Sequence, residues 1–204
     1  MWWRKVHAAD RAPRGTTAEL RLVDPTARIA TGAVLDMSGG PIVVGPRTVI
    51  CRGAHIVGPV TIGADCLIGN FAMVRGTTTI GDGTRIGFAT ELKNAILGER
   101  VSVGPQCFIA DSVVEDDAYL GAQVRTSNHR LDGRAVEVMV DGRRTDTGHE
   151  KLGCLIGAGA ALGIQVVILP GREIAPGSVF GPRITVEKNL PAGRYRLPQQ
   201  LETY

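Results

Sequence analysis

From Val44 to Leu92 an aliphatic residue occupies every sixth position: Val44, Ile50, Ile56, Ile62, Ile68, Val74, Ile80, Ile86 and Leu92. Glycine usually follows it (Gly45, Gly63, Gly69, Gly81, Gly87), and a small or β-branched residue usually stands two places before it. Neither the helical period of 3.6 nor plain strand alternation produces a strict period of six. A hexapeptide β-solenoid does. Each hexapeptide makes one flat face of a triangular prism, with its aliphatic side chain pointing inward. Glycine suits the neighbouring position because the chain turns a corner there, where positive φ or close approach of another strand demands it. Three hexapeptides then close one coil of eighteen residues.

The same pattern divides the chain. Residues 1–25 are polar, end at Asp24-Pro25, and are expected to form a leader, with Trp2 and Trp3 packing on the first coil or on a partner. The solenoid is expected over 26–190. It opens with an imperfect repeat at Ile29 and Leu35 and a turn at Met37–Pro41. Beyond Leu92 the register slips by one residue to Leu97, Val103 and Ile109, then again to Val114 and Leu120, which predicts bulges at a corner. Over 121–153 the period is lost. An excursion of that length points to function or assembly. Within it, alternation over 135–140 followed by Asp141-Gly142 predicts a type I′ hairpin. The period returns at Ile156, Leu162, Ile168, Ile174, Phe180 and Val186, and 191–204 form a polar tail that caps the prism or crosses to a neighbour.

Composition narrows the function classes. Glycine is abundant (27 residues) and aromatics are scarce (4%), as small-residue solenoid packing requires. A net charge of +3 without a dense basic run argues against nucleic acid and against a membrane surface. The scattered Cys51, Cys66, Cys107 and Cys154 show no metal-ligand spacing and read as reduced thiols of a cytoplasmic protein. No apolar core long enough for a signal peptide or a transmembrane helix is present.

Candidate chemistry sits where the repeat is broken by charge. Arg75 and Lys93 occupy positions where glycine is usual, and they lie eighteen residues apart, one full coil. Stacked on one edge roughly 5–6 Å apart, two such cations repel by about 3 kcal/mol at an effective dielectric of 20. Either a bound anion, phosphate above all, offsets that cost, or both side chains splay into water. The excursion is basic, with Arg125, Arg130, Arg134, Arg143, Arg144 and Lys151, and it holds His129 and His149. His55, within the regular coils, is expected to face solvent. Nothing near Cys107 in sequence lowers its pKa, so it reads as inert packing.

Ile86–Asn94, together with Thr126-Ser127-Asn128, Asp132-Gly133 and Asp146–Gly153, resembles the acetyltransferase domain of archaeal-type bifunctional N-acetylglucosamine-1-phosphate uridyltransferases, members of the hexapeptide-repeat acyltransferase family. The resemblance spans about Val44 to Leu190. It implies a left-handed parallel β-helix, a homotrimer with sites between subunits, and acyl transfer from acetyl-CoA or another acyl-CoA. The acceptor it implies is a small anionic amino sugar, phosphorylated or nucleotide-linked. It implies roles for Arg75 and Lys93 at a phosphate or nucleotide, Asn128 at the substrate or acyl group, and Lys151 at a sugar phosphate, with Asp111 retained as a substrate-binding residue and no metal. The family's catalytic histidine, however, is replaced by Pro105 and a neighbouring tyrosine by Phe108, and the nucleotidyltransferase domain has no counterpart. Pro105 moves no proton, so His129, directly after Asn128, is assigned as a relocated general base, with His149 second.

Two other readings accompany acyl transfer. One is a non-catalytic relative that binds a nucleotide sugar or partners a separate nucleotidyltransferase. The other is different chemistry on the same scaffold. A γ-type carbonic anhydrase exemplifies it, although its three histidine ligands are not matched here.

Overall fold

The computed structural model describes residues 1–7, 21–199 and 203. Its strands form three parallel sheets of eight, nine and eight strands, the faces of a triangular prism, plus one separate hairpin. The chain visits the first, second and third faces in turn. Val44 pairs with Ile62, Ile62 with Ile80, Ile50 with Ile68 and Val74 with Leu92, so residues one coil apart stack directly. The predicted period is therefore a column of side chains, and all nine aliphatics from Val44 to Leu92 are buried.

The glycine after each aliphatic answers to close approach. A Cβ on Gly45 would lie 2.6 Å from the Gly63 carbonyl carbon, and one on Gly87 would lie 2.5 Å from that of Gly104. Positive φ falls two residues later, on Arg47, Asp65, Ala89 and Gln106 (51–58°). The small column before each aliphatic is also explained. Thr48, Thr84 and Thr90 donate their hydroxyls to Gly63, Gly98 and Gly104 carbonyls at 2.7–2.9 Å, so these buried groups are satisfied. Cys66 and Cys107 take the same place, their thiols 3.2 Å from the Gly81 and Gly121 carbonyls.

Several boundaries differ from the sequence expectation. The prism begins earlier, at Arg21–Val23, which pairs with Ile42–Val44. The register slips are not bulges but coils shortened by one residue. Ile80 pairs with Leu97 and Leu92 with Ile109. The residue is lost between the third and first faces, where Asn94 and Asp111 turn the chain alone with φ of 47° and 48°. The excursion starts later than predicted. Arg125–Thr126 still belongs to the third face, and Thr126 pairs with Ile168 in the core column. Its hydroxyl accepts the Ala110 N–H at 2.8 Å, and the hydrophobic pattern missed the coil because threonine is not aliphatic.

The hairpin forms as predicted, Glu137–Val140 against Arg143–Asp146, with positive φ at both Asp141 and Gly142. The tail caps the prism: Arg194–Tyr195 pairs with Val179–Phe180, and the Tyr195 ring stacks on Phe180. Helix α1 (Trp2–Val6) packs away from the first coil. Trp2, Trp3 and Val6 are buried with Val113, Val136, Val138 and Leu152, between the outer surface of the first face and the hairpin. The Trp2 indole donates to Glu173 at 2.9 Å.

The three prism edges differ in chemistry. The first-to-second edge is ionic, with Arg47 on Asp65 and Arg100 on Asp117. The second-to-third edge carries exposed Phe71 and Phe88 in edge-to-face contact. Beside them runs an amide ladder in which Gln165 donates to Gln123 and Gln123 to Gln106, at 2.8 and 3.0 Å. Pro105 lies on this edge, its carbonyl accepting the Gln123 N–H. The third-to-first edge is the one from which the excursion departs.

Candidate functional site

Gly76, Asn94, Asp111 and Asn128 occupy successive corners of the third-to-first edge. Asn94 donates its side-chain amide to Asp111 Oδ1 at 2.9 Å, and Lys93 Nζ lies 3.0 Å from Oδ2. Asn128 Nδ2 donates to that same oxygen. Below, the Thr77 N–H donates to Asn94 Oδ1 at 3.1 Å. Gly76 has no room for a side chain, since a Cβ there would sit 2.1 Å from Asn94 Oδ1. Asp111 is 1% exposed with both carboxylate oxygens engaged. It therefore holds other side chains in place, where the sequence reading put it at the substrate.

Arg75 and Lys93 do stack, as paired residues of neighbouring strands on the outer surface of the third face. Each has a carboxylate partner within the protein. Arg75 contacts Glu91 through Nη2 at 2.7 Å and Nε at 2.8 Å, and Lys93 contacts Asp111. The repulsion that made an anion attractive in the sequence argument is thus already offset by Glu91 and Asp111. Sequence reasoning passed over Glu91 and Asn94. Writing the chain in rows of 17 or 18 residues would have aligned Asn94, Asp111 and Asn128 in one column.

The excursion's two ends are zipped together beside this network. His129 and Lys151 form an antiparallel bridge, and the Leu152 N–H donates to the Asn128 carbonyl at 3.0 Å. Five of the residues singled out in the sequence, Lys93, Asp111, Asn128, His129 and Lys151, thereby meet, with Arg75 one coil below. His129 and Lys151 are exposed on the protomer. His129 Nδ1 lies 3.3 Å from the Glu150 carbonyl. That contact is satisfied when Nδ1 carries the proton, which leaves Nε2 as an acceptor.

The other candidates fall elsewhere. His149 stacks on His7 with ring centroids 3.9 Å apart. His55 is half-buried instead of solvent-facing, and its Nε2 is buried without a hydrogen-bond partner among the described residues. Burial pushes the Cys107 thiol up, consistent with inert packing. Among the described residues no group of three or more His, Cys, Asp or Glu is placed to hold a metal, and no helix is long and apolar enough to cross a membrane.

The stacked coils define a parallel β-helix of the hexapeptide-repeat class, left-handed as in the solved acyltransferase whose fold it shares. The fold is shared with a solved UDP-N-acetylglucosamine acyltransferase of Francisella novicida (TM-score 0.61, 16% identity, 83% of this chain and 62% of that one). Residues 56–142 match the family described as GMPPB C-terminal domain. The uncharacterized acetyltransferase YaiX of Escherichia coli O6:K15:H31 (strain 536 / UPEC) is 55% identical over 183 residues, which are 90% of this chain and 80% of that protein. The chain belongs to the hexapeptide-repeat acyltransferase family. A bifunctional sugar-1-phosphate nucleotidylyltransferase/acetyltransferase of Sulfurisphaera tokodaii is 32% identical over 111 residues, which are 54% of this chain but 28% of that protein.

Proposed function

We propose that the protein transfers an acyl group from an acyl-CoA, acetyl-CoA in the simplest case, to an amine or hydroxyl of a phosphorylated or nucleotide-linked amino sugar. The observation that carries this reading is the throat of the excursion. There His129, with Nε2 free to accept, stands beside Lys151 and next to Asn128, which Asp111 fixes. The acceptor's nucleophile attacks the thioester carbonyl while His129 Nε2 takes its proton. The tetrahedral intermediate then collapses, the C–S bond breaks, and the imidazolium returns the proton to the departing CoA thiolate. Exposed Lys151 supplies positive charge for the acceptor's phosphate, while Lys93 and Arg75, whose charges Asp111 and Glu91 offset, contribute only their remaining N–H donors.

The reading includes a homotrimer in which a neighbour closes the exposed throat. Fully exposed Leu131 in the excursion and the exposed Phe71–Phe88 pair support such an interface. Light scattering should give three times the 21.6 kDa protomer mass. A monomer at micromolar concentration would refute the shared site.

The deciding experiment is thiol release from acetyl-CoA with amino sugar phosphates and UDP-amino sugars. His129→Ala should lose at least about a hundredfold in rate. Full activity in that variant would sink the assignment. A second reading, ligand binding without catalysis, is favoured by Pro105, which occupies a corner on the opposite edge of the third face and moves no proton. Binding of a UDP-sugar with no thiol released from any acyl-CoA would establish it.

A further inference from the structure

Above the throat lies a group of charges that the proposed chemistry does not use. Asp111, Gly153 and Gly171 follow one another along the third-to-first edge, the Gly153 N–H donating to Asp111 and the Gly171 N–H to Gly153, at 2.8 and 2.6 Å. The base of the hairpin covers the last of these corners. A Cβ on Gly171 would fall 2.2 Å from the Glu137 carbonyl oxygen and 2.9 Å from Val136. Arg172 is therefore half-buried between coil and hairpin. Its Nε is buried, and among the described residues it has no hydrogen-bond partner and its guanidinium pairs with no carboxylate.

Two more arginines of the excursion, Arg144 and Arg130, add positive charge to its surroundings. Arg144 projects from the second strand of the hairpin and reaches Glu137 only at 3.6 Å. Arg130 is held in a fork by Asp132. Burial, reinforced by the nearby positive charges of Arg144 and Arg130 and opposed by Glu137, pulls the Arg172 guanidinium below its ordinary value. Arg144 and Arg130 each have a carboxylate partner, Glu137 and Asp132, whereas among the described residues Arg172 has none, which leaves its charge and a buried donor unused.

We infer that Arg172, with Arg144 and Arg130, forms a second anion site, distinct from Arg75 and Lys93, that takes a phosphate group of a nucleotide. The planar guanidinium matches the spacing of phosphate oxygens and offers several donors at once. A buried N–H without an acceptor and a cluster of like charges are both relieved by one oxyanion. Two coil steps separate this corner from Asp111, about 10 Å at the usual strand spacing. A ligand extended along the edge thus reaches from the throat to Arg172. The site does not require the acyl-transfer reading, because its signature is binding.

The probe is inorganic pyrophosphate, titrated calorimetrically into the full chain and into Arg172→Gln, Arg144→Gln and the double variant Arg75→Gly/Lys93→Gly. Arg144 has a side chain 80% exposed, so its replacement leaves folding intact even if Arg172→Gln does not fold. We expect Arg144→Gln, and Arg172→Gln where folded, to weaken pyrophosphate at least about tenfold, the loss of one charge-assisted hydrogen bond. The Arg75/Lys93 variant should keep the pyrophosphate site. Unchanged affinity in the arginine variants, or loss of all binding in the Arg75/Lys93 variant, overturns the inference. Displacement of pyrophosphate by adenosine 3′,5′-bisphosphate assigns the site to a donor nucleotide, and displacement by uridine diphosphate to the acceptor. Displacement by neither overturns the assignment to a nucleotide.

Discussion

Replacing Asp111 by asparagine exchanges one carboxylate oxygen for an amide and leaves the shape of the corner intact, including a residue type that tolerates φ of 48°. The partners then decide the cost. If the asparagine oxygen faces Lys93 and Asn128, its amide points at the Asn94 amide, donor against donor. Asn94 cannot flip to help, because its own oxygen accepts the Thr77 N–H. If the asparagine is turned the other way, Lys93 and Asn128 lose their acceptor instead. Either arrangement forfeits a charge-assisted bond, about 1.5–3 kcal/mol, and leaves one neutral bond of about 1 kcal/mol unmade. Asp111→Asn should therefore destabilise by about 3 kcal/mol. The assay is urea unfolding at fixed protomer concentration, read as a lower midpoint at unchanged slope. In a double-mutant cycle with Lys93→Met the pair should couple by more than about 1 kcal/mol. A loss below about 0.5 kcal/mol, or additive single and double variants, would refute the view that Asp111 organises this edge.

Other outcomes follow from neighbouring features. Thr126→Val keeps the core volume but removes the acceptor of the buried Ala110 N–H, and should cost about 1–3 kcal/mol in thermal or urea unfolding. An unchanged midpoint would mean that the corner rearranges. Burial pushes the Cys154 thiol up to about 12, and Cys66 and Cys107 upward as well. The fold thus holds these protons more tightly than the unfolded chain, and the stability this contributes is complete below about pH 9 and lost as pH rises toward 12. The urea midpoint should fall between pH 8 and 10.5, whereas a rise would contradict the sign. Trp3→Ala empties a buried position beneath the hairpin and should cost about 3–5 kcal/mol of local packing, seen as easier acrylamide quenching of the remaining Trp2. Quenching like that of the parent would show that α1 holds without it.

The period of six was enough to specify a three-faced solenoid, because a core column admits aliphatics and almost nothing else, and each missing one is visible. It also specified the hairpin, since Asp141-Gly142 suits the turn and the flanking residues alternate. Thr126 escaped for the converse reason: a hydroxyl satisfied by backbone inside the core looks polar in a pattern of hydrophobicity. The stacking of Arg75 and Lys93 was legible from their spacing of one coil, but not their neutralisation. Glu91 reaches Arg75 across neighbouring strands, and Asp111 reaches Lys93 along a corner whose coils have shortened by one residue. Such pairings depend on side-chain direction at an edge, which no linear spacing encodes. The packing of α1 over the first face and hairpin, the junction of Asn128–His129 with Lys151–Leu152, and the seating of Arg172 beneath Glu137 bring together segments far apart in sequence. Only the closed tertiary structure decides them, because the excursion has no period of its own and takes its position from the surfaces it covers.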